Sequence, residues 1–239
     1  MSDVFVRNKT EKIVSYPIGN IFRRKSTSGD IGLEFEFEGV NLPKKNQPDN
    51  PFGAFKGSLI PPQWSYHHDG SLRGVENAEY VLKNPLPFDE VDKAIDDLWH
   101  MFTKAGSELH ESNRTSVHVH LNAQKWHLNR VTAFLALWFS VEELLTEWCG
   151  DHRVGNLFCL RGKDAPAIVQ TMKKFIKSNG ETSIEDAMHY AGINCHALAK
   201  FGSIEVRSLR GVEDPQIAKD WIKILRRLYD LSGEFKDPA

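Results

Sequence analysis

The sequence predicts an α+β fold, and three observations predict it. The stretches "IGLEFEFE" (31–38), "SVHVHLN" (116–122) and "GSIEVRSLR" (202–210) alternate apolar and polar residues as half-buried strands do. Four other segments carry apolar residues at helical spacing. No internal repeat or low-complexity linker divides the chain. Its 239 residues, 41% hydrophobic and 26% charged, suffice for a globular protein with one large core or two modest ones. The economical reading is a polar leader over 1–29 followed by a single domain over 30–239.

Taken in order, "MSDVFVRNKTEK" is charged and lacks the apolar centre of an export signal. The first strand follows, with Leu33, Phe35 and Phe37 on one face and Glu34, Glu36 and Glu38 on the other. From Gly39 to Gln63 the chain is rich in Pro, Asn and Gly without periodicity, the mark of a long functional loop that covers a site. "EYVL" (79–82) reads as a short strand. "PFDEVDKAIDDLWHMFTKAG" (87–106) places Val91, Ile95, Leu98, Trp99 and Phe102 on one helical face, with Gly106 as its stop. The histidine strand comes next, then an apolar helix from about Trp126 to Trp148. Its core, "VTAFLALWFSVEELL", is broken by Ser140, Glu142 and Glu143 before the roughly 20 residues a membrane span needs, so it reads as a buried helix. "DAPAIVQTMKKFIKSNG" (164–180) reads as a helix with Asp164 as N-cap and Gly180 beyond its end. "INCHALAKFGSIEVRSLR" (193–210) reads as two strands joined at a tight turn near Gly202. The last helix starts at "DPQIAKDW", with Asp214 capping and Pro215 in the first turn.

Composition excludes several classes of function. A net charge of -2 with intermixed Lys and Arg offers no broad basic surface for duplex nucleic acid. Cys149, Cys159 and Cys195 are too few for a disulfide framework and form no Cys-x-x-Cys zinc pair. They fit a reducing, cytoplasmic compartment, and buried inert thiols are the commoner state than nucleophiles.

The polar faces of the three strands carry the chemistry. One bears Glu34, Glu36 and Glu38, the second Ser116, His118, His120 and Asn122, the third Glu205 and Arg207. A solvated sheet face also alternates, but it usually mixes Thr, Lys, Ser and Gln. Carboxylates in series, roughly 7 Å apart, repel one another, and a divalent cation removes that penalty. Such ligands suit magnesium, with manganese as the alternative. Arg153, Arg161, Arg207 and Arg210 have the forked geometry for phosphate oxygens, though a surface ion pair is the commoner role of any one. "RGKD" (161–164) lacks the glycine of a phosphate-cradling loop, His67 and His68 read as surface, and Trp64 and Tyr66 as packing residues.

As a set, "GLEFEFE", "HHDGSLRGVENAEYVLKNPL", "TSVHVHLN", "HRVGNLFC" and "YAGINCHALAKFGSIEVRSLRG" resemble the amidoligase family over roughly residues 30–230. These are carboxylate–amine ligases related in fold to glutamine synthetase and glutamate–cysteine ligase, often found in bacteriophages and their hosts. The resemblance implies an antiparallel sheet with helices packed on one face and a site for Mg-ATP on the other. It further implies attack of a substrate carboxylate on the γ-phosphate, and capture of the acyl phosphate by an amine. The substrates implied are amino acids, peptides or cell-wall peptide, handled in the cytoplasm (a bacterial host's, for a phage-encoded chain), with a homo-oligomer compatible.

By the same resemblance Glu34, Glu36 and His118 are metal ligands, His120 a phosphate-side partner and Glu205 the metal-binding glutamate of the last strand. Arg207 steadies the transferring phosphoryl group. Glu79 and Asp69 match the family's acidic residues at the Asp-Gly-Ser-Leu turn, with Glu76 competing for the role of Glu79. Arg153 matches a contact to phosphate or to the substrate carboxylate, and Arg210, from its forked geometry alone, is a further candidate for the nucleotide phosphates. Glu38 leaves open which two of the three glutamates on its strand hold metal. A metal-dependent hydrolase using the same face, and a non-catalytic binding protein on the scaffold, are the competing readings; Arg207 beside Glu205 discriminates against the hydrolase, which has less need of a phosphate clamp.

Overall fold

The computed structural model describes residues 16–44, 59–178 and 190–235. Most of the predicted covering loop, and Gly180, lie outside the described residues. Within them the chain forms a mixed α+β structure with a seven-stranded sheet and six α-helices. The strands are β1 (Ile31–Val40), β2 (Trp64–His67), β3 (Glu76–Leu82), β4 (Glu108–His110), β5 (Ser116–Asn122), β6 (Ile193–Asn194) and β7 (Ser203–Arg210). The helices are α1 (Ile18–Ile21), α2 (Val91–Ala105), α3 (Leu128–Trp148), α4 (Pro166–Lys177), α5 (His196–Lys200) and α6 (Pro215–Glu234). The strand order is β2-β3-β1-β5-β7-β6, with β4 pairing on β1. No helix among the described residues is long and apolar enough to cross a membrane.

By internal contacts the chain divides into two compact units, one of residues 27–119 and 209–222, the other of 1–26, 120–208 and 223–239. In the first, β1 lies antiparallel to β3, which in turn pairs antiparallel with β2. Alternation along β1 sends Leu33, Phe35 and Phe37 into a fully buried aromatic cluster. Trp99 and Phe102 of α2 meet the Phe37 ring edge-on at 5.6 and 4.9 Å, and Trp64 of β2 meets Phe35 at 5.8 Å. The Trp64 indole N–H donates to the Ala94 carbonyl, so the one polar atom of this side chain is satisfied while it pins α2 to the sheet. Helix α2 thus covers the apolar face of β1, leaving the glutamates on the opposite face. It stops at Gly106, whose φ of 63° is the left-handed conformation that glycine adopts without strain.

In the second unit, α3 buries Val131, Phe134, Leu135 and Trp138, and the Arg130 guanidinium lies 4.2 Å over the Trp126 ring and 4.6 Å over Tyr229 of α6. Strand β6 pairs antiparallel with β7. Helix α6 starts as expected, with the Asp214 carboxylate accepting the Gln216 N–H at 2.8 Å.

Two expectations are corrected. The stretch 193–210 is not a simple hairpin: β6 has only two residues, and α5 follows it before the Gly202 turn. Its His-Ala-Leu-Ala-Lys sequence favours helix by propensity, and one turn buries both Ala197 and Leu198, which an alternating strand would send to opposite faces. Asp164 does not cap α4. Ala165 holds the N-cap position, and the Asp164 carboxylate instead accepts two N–H groups of the Arg161 fork, a charge-assisted pair stronger than a single cap bond.

Candidate active site

The register of β1 against β3 sets Glu36 directly opposite Glu79. Directly paired residues share a face, so two carboxylates project side by side. Strand β5, next to β1 in the sheet, adds His118: its Nδ1 lies 3.1 Å from Glu34 Oε2 and its Nε2 3.6 Å from Glu36 Oε1. Glu36, Glu79 and His118 each present a ligand atom, all within 4.8 Å of one another. Glu36 and His118 are almost fully buried. This crowding has an electrostatic signature. Burial, then the charges of Glu34, Glu36 and Asp69, push the Glu79 carboxyl from an ordinary 4.5 up to about 7, with His118 opposing the shift.

Ser116, on the same face of β5, donates to Glu36 Oε2 at 2.5 Å and lies 2.7 Å from His118 Nε2. The third glutamate has a different task. Glu38 accepts the backbone N–H of Arg73 at 2.7 Å and so anchors the Asp-Gly-Ser-Leu turn. Asp69 caps the Ser71 N–H within that turn, and the Arg114 guanidinium donates to the Ser71 carbonyl. Gly74 is required there, because a Cβ would stand 2.7 Å from the Glu38 Cβ. Glu76 is held away from the cluster by the Leu42 N–H, which favours Glu79 for the role after the turn.

The second unit holds Glu205, His120 and Arg207. Asn194 faces Glu205 across β6 and β7 and donates to its Oε2 at 2.6 Å, while the Arg207 Nη1 donates to Oε1 at 2.6 Å. His120 Nε2 lies 4.0 Å from the same Oε1, and its Nδ1 lies 3.1 Å from Ser203 Oγ. Arg153 is only 1% exposed, and its guanidinium donates to the carbonyls of Arg207 and Ser208, so it braces β7 from behind. Arg210 is paired with Glu111 at 3.2 Å, and Arg161 with Asp164. Of the four arginines singled out by sequence, Arg207 is the one beside a candidate metal-binding carboxylate.

Ser116 and Asn194 were legible only as polar residues. Alternation puts Ser116 on the active face, yet its two partners come from register. Asn194 sits in a strand too short to show a period. The three cysteines are buried; burial pushes Cys195 up to about 12 and Cys159 upward as well, so neither is a ready nucleophile.

The family model described as "Putative amidoligase enzyme" matches residues 59–226, well over half of the chain. No curated protein matches it. The matched span holds the Asp-Gly-Ser-Leu turn, Glu79, both histidines of β5 and the Glu205–Arg207 strand. With those residues placed on strand faces as described, the chain belongs to the amidoligase family.

Proposed function

We propose that this amidoligase joins a carboxylate to an amine at the expense of ATP, through an acyl phosphate, on an amino acid, peptide or cell-wall peptide. The observation that carries the reading is the Glu36–Glu79–His118 cluster, whose ligand atoms converge within 4.8 Å while Glu79 is raised to about 7. The donor set is of the kind that suits magnesium, and a divalent cation would relieve the repulsion that raises Glu79. Glu36, Glu79 and His118 would hold it, with Glu34 hydrogen-bonded to the same imidazole. When bound, magnesium neutralises charge on the phosphates of ATP.

The residues of the chain divide the remaining work. Arg207, steered by Glu205, offers its guanidinium to the transferring phosphoryl group. His120 hydrogen-bonds a phosphate oxygen, and Arg153 keeps β7 in register behind them. The substrate carboxylate attacks the γ-phosphorus, ADP leaves, and the amine displaces phosphate from the acyl carbon. That intermediate needs shielding from water, a role we assign to the 39–63 segment. The family match favours this chemistry over the hydrolase reading.

Calorimetric titration with ATP, with and without magnesium, is the first test. Magnesium-dependent binding is expected, followed by ADP release in the presence of pooled amines and carboxylates. Absence of nucleotide binding under both conditions would refute the proposal.

A further inference from the structure

We propose that the outer edge of β2 is a peptide-binding site, where an extended peptide adds as a further strand and presents an acidic side chain to the active face. The proposal rests on the ligase reading above for its chemistry and narrows the substrate to one class. Strand β2 ends the sheet, and among the described residues its strand partner is β3. The ladder between them has a parity. The Lys83 N–H donates to the Gln63 carbonyl, and Trp64 and Tyr66 stand opposite Leu82 and Tyr80, so the bonded positions of this strand are 63, 65 and 67. Trp64 and Tyr66 therefore turn their backbone groups away from β3. The Trp64 N–H is taken by the Pro61 carbonyl at 2.9 Å. On the outward side of Tyr66 no backbone partner stands among the described residues. Its N–H and C=O are the two groups that a residue of an added antiparallel strand would bond in exchange.

The register ties this edge to the chemistry. Glu36 faces Glu79 across β1 and β3, and Glu79 faces His67 across β3 and β2, so the three side chains form one row on one face of the sheet. All three belong to the unit of residues 27–119 and 209–222. His67 is exposed, as the sequence predicts, yet it stands at the outer end of the row that begins with the candidate metal ligands. Ser65, two residues back on the same face, lies 3.0 Å from His67 Nε2 and holds the ring along the strand rather than across the row. A peptide beside β2 would lengthen the row by one position. Its residue opposite His67 points to the same face, with a backbone roughly 10 Å from β3 at the usual strand spacing. An extended acidic side chain crosses part of that gap toward the γ-phosphate it attacks. A free amino acid has no neighbouring residue with which to pair Tyr66, so the edge favours peptides and reads their backbone.

The test follows amide exchange in the 15N-labelled full chain, using a pool of end-blocked pentapeptides with a central glutamate. The Tyr66 N–H is expected to exchange fast in the protein alone and roughly tenfold slower with the pool near saturation. The same pool N-methylated along its backbone should leave the exchange fast. In turnover, Tyr66→Pro removes the outward donor without touching the ladder to β3, a place where an edge strand tolerates proline. It should raise KM for the pool about tenfold or more while magnesium-dependent ATP binding stays unchanged. Tyr66→Ala, which loses the ring but keeps the N–H, should retain the wild-type KM. ADP release driven by the pool with no slowing at Tyr66 would overturn the proposal and leave the ligase reading standing. A Tyr66 amide that slows with protein concentration alone would overturn it too, giving the edge to a second copy of the chain. Slowed exchange with the pool but no nucleotide binding would sink the ligase reading and keep the peptide site. The exchange measurement needs no variant, so it decides the matter even where Tyr66→Pro fails to fold.

Discussion

Glu205 shows how finely a single carboxylate is committed. Its two oxygens accept from different partners, Asn194 and Arg207, both at 2.6 Å. Glu205→Gln would keep the volume, but turn one acceptor into a donor facing another donor, leaving an N–H pair in opposition. Nucleotide-dependent turnover is expected to fall by roughly 100-fold or more, while urea unfolding stays cooperative because the side chain lies outside the apolar core. Glu34→Gln should behave likewise. Loss of cooperative unfolding in both variants would assign these residues to structure rather than chemistry. Arg153 invites the converse expectation. Because its fork ties two β7 carbonyls in a buried setting, Arg153→Lys cannot reproduce both bonds, and both stability and turnover should drop together.

Among the elements, the helix ends give the cleanest tests. At Gly106 a Cβ would meet no atom within 4 Å, so the whole effect of Gly106→Ala comes from the positive φ. A loss of about 1 kcal/mol by urea unfolding is expected, and Gly106→Asn should lose less because Asn tolerates the left-handed region. Asp214→Ala removes the N-cap of α6 and should also lose about 1 kcal/mol. The strands β1, β5 and β7 and the helices α2, α3 and α6 were legible because each repeats one period long enough to be read. Strand β6 and helix α5 were not: two residues and one turn are too short for periodicity, and only tertiary pairing decides them. The same distinction holds within the site. Glu34, Glu36, His118 and Glu205 announced their face by alternation, whereas the diversion of Glu38 to the Arg73 N–H depends on a turn distant in sequence.

For the molecule as a whole, the raised Glu79 carboxyl makes stability depend on pH in a predictable sense. The folded chain keeps this proton up to about pH 7, whereas the unfolded chain releases it near the ordinary 4.5. Between those values the folded state binds more protons, so its contribution is present at low pH and is lost as pH rises through 7. The loss amounts to at most about 3 kcal/mol. Chemical denaturation of the metal-free protein from pH 5 to 8 should show it, Glu79→Gln should flatten it, and magnesium should stabilise most at the high end, where it competes with the fewest protons. A second global readout comes from Cys149, Cys159 and Cys195, all at most 2% exposed. A disulfide-exchange reagent should label none of them in the native protein, and labelling should follow the opening of the unit that holds them.

The alternation in β5 also bears on which changes of chain length the protein can survive. Val117, Val119 and Leu121 are buried on one face while His118 and His120 hold the other, so core and chemistry are written on the same seven residues. Inserting or deleting one residue there would exchange the two sets, burying imidazoles among valines and removing the ligands in one step. Strands β1 and β7 are bound by the same rule. Insertions and deletions are therefore admitted only between the strands, so diversification by length is confined to the loops, and with it any route to a new substrate that does not proceed by substitution alone.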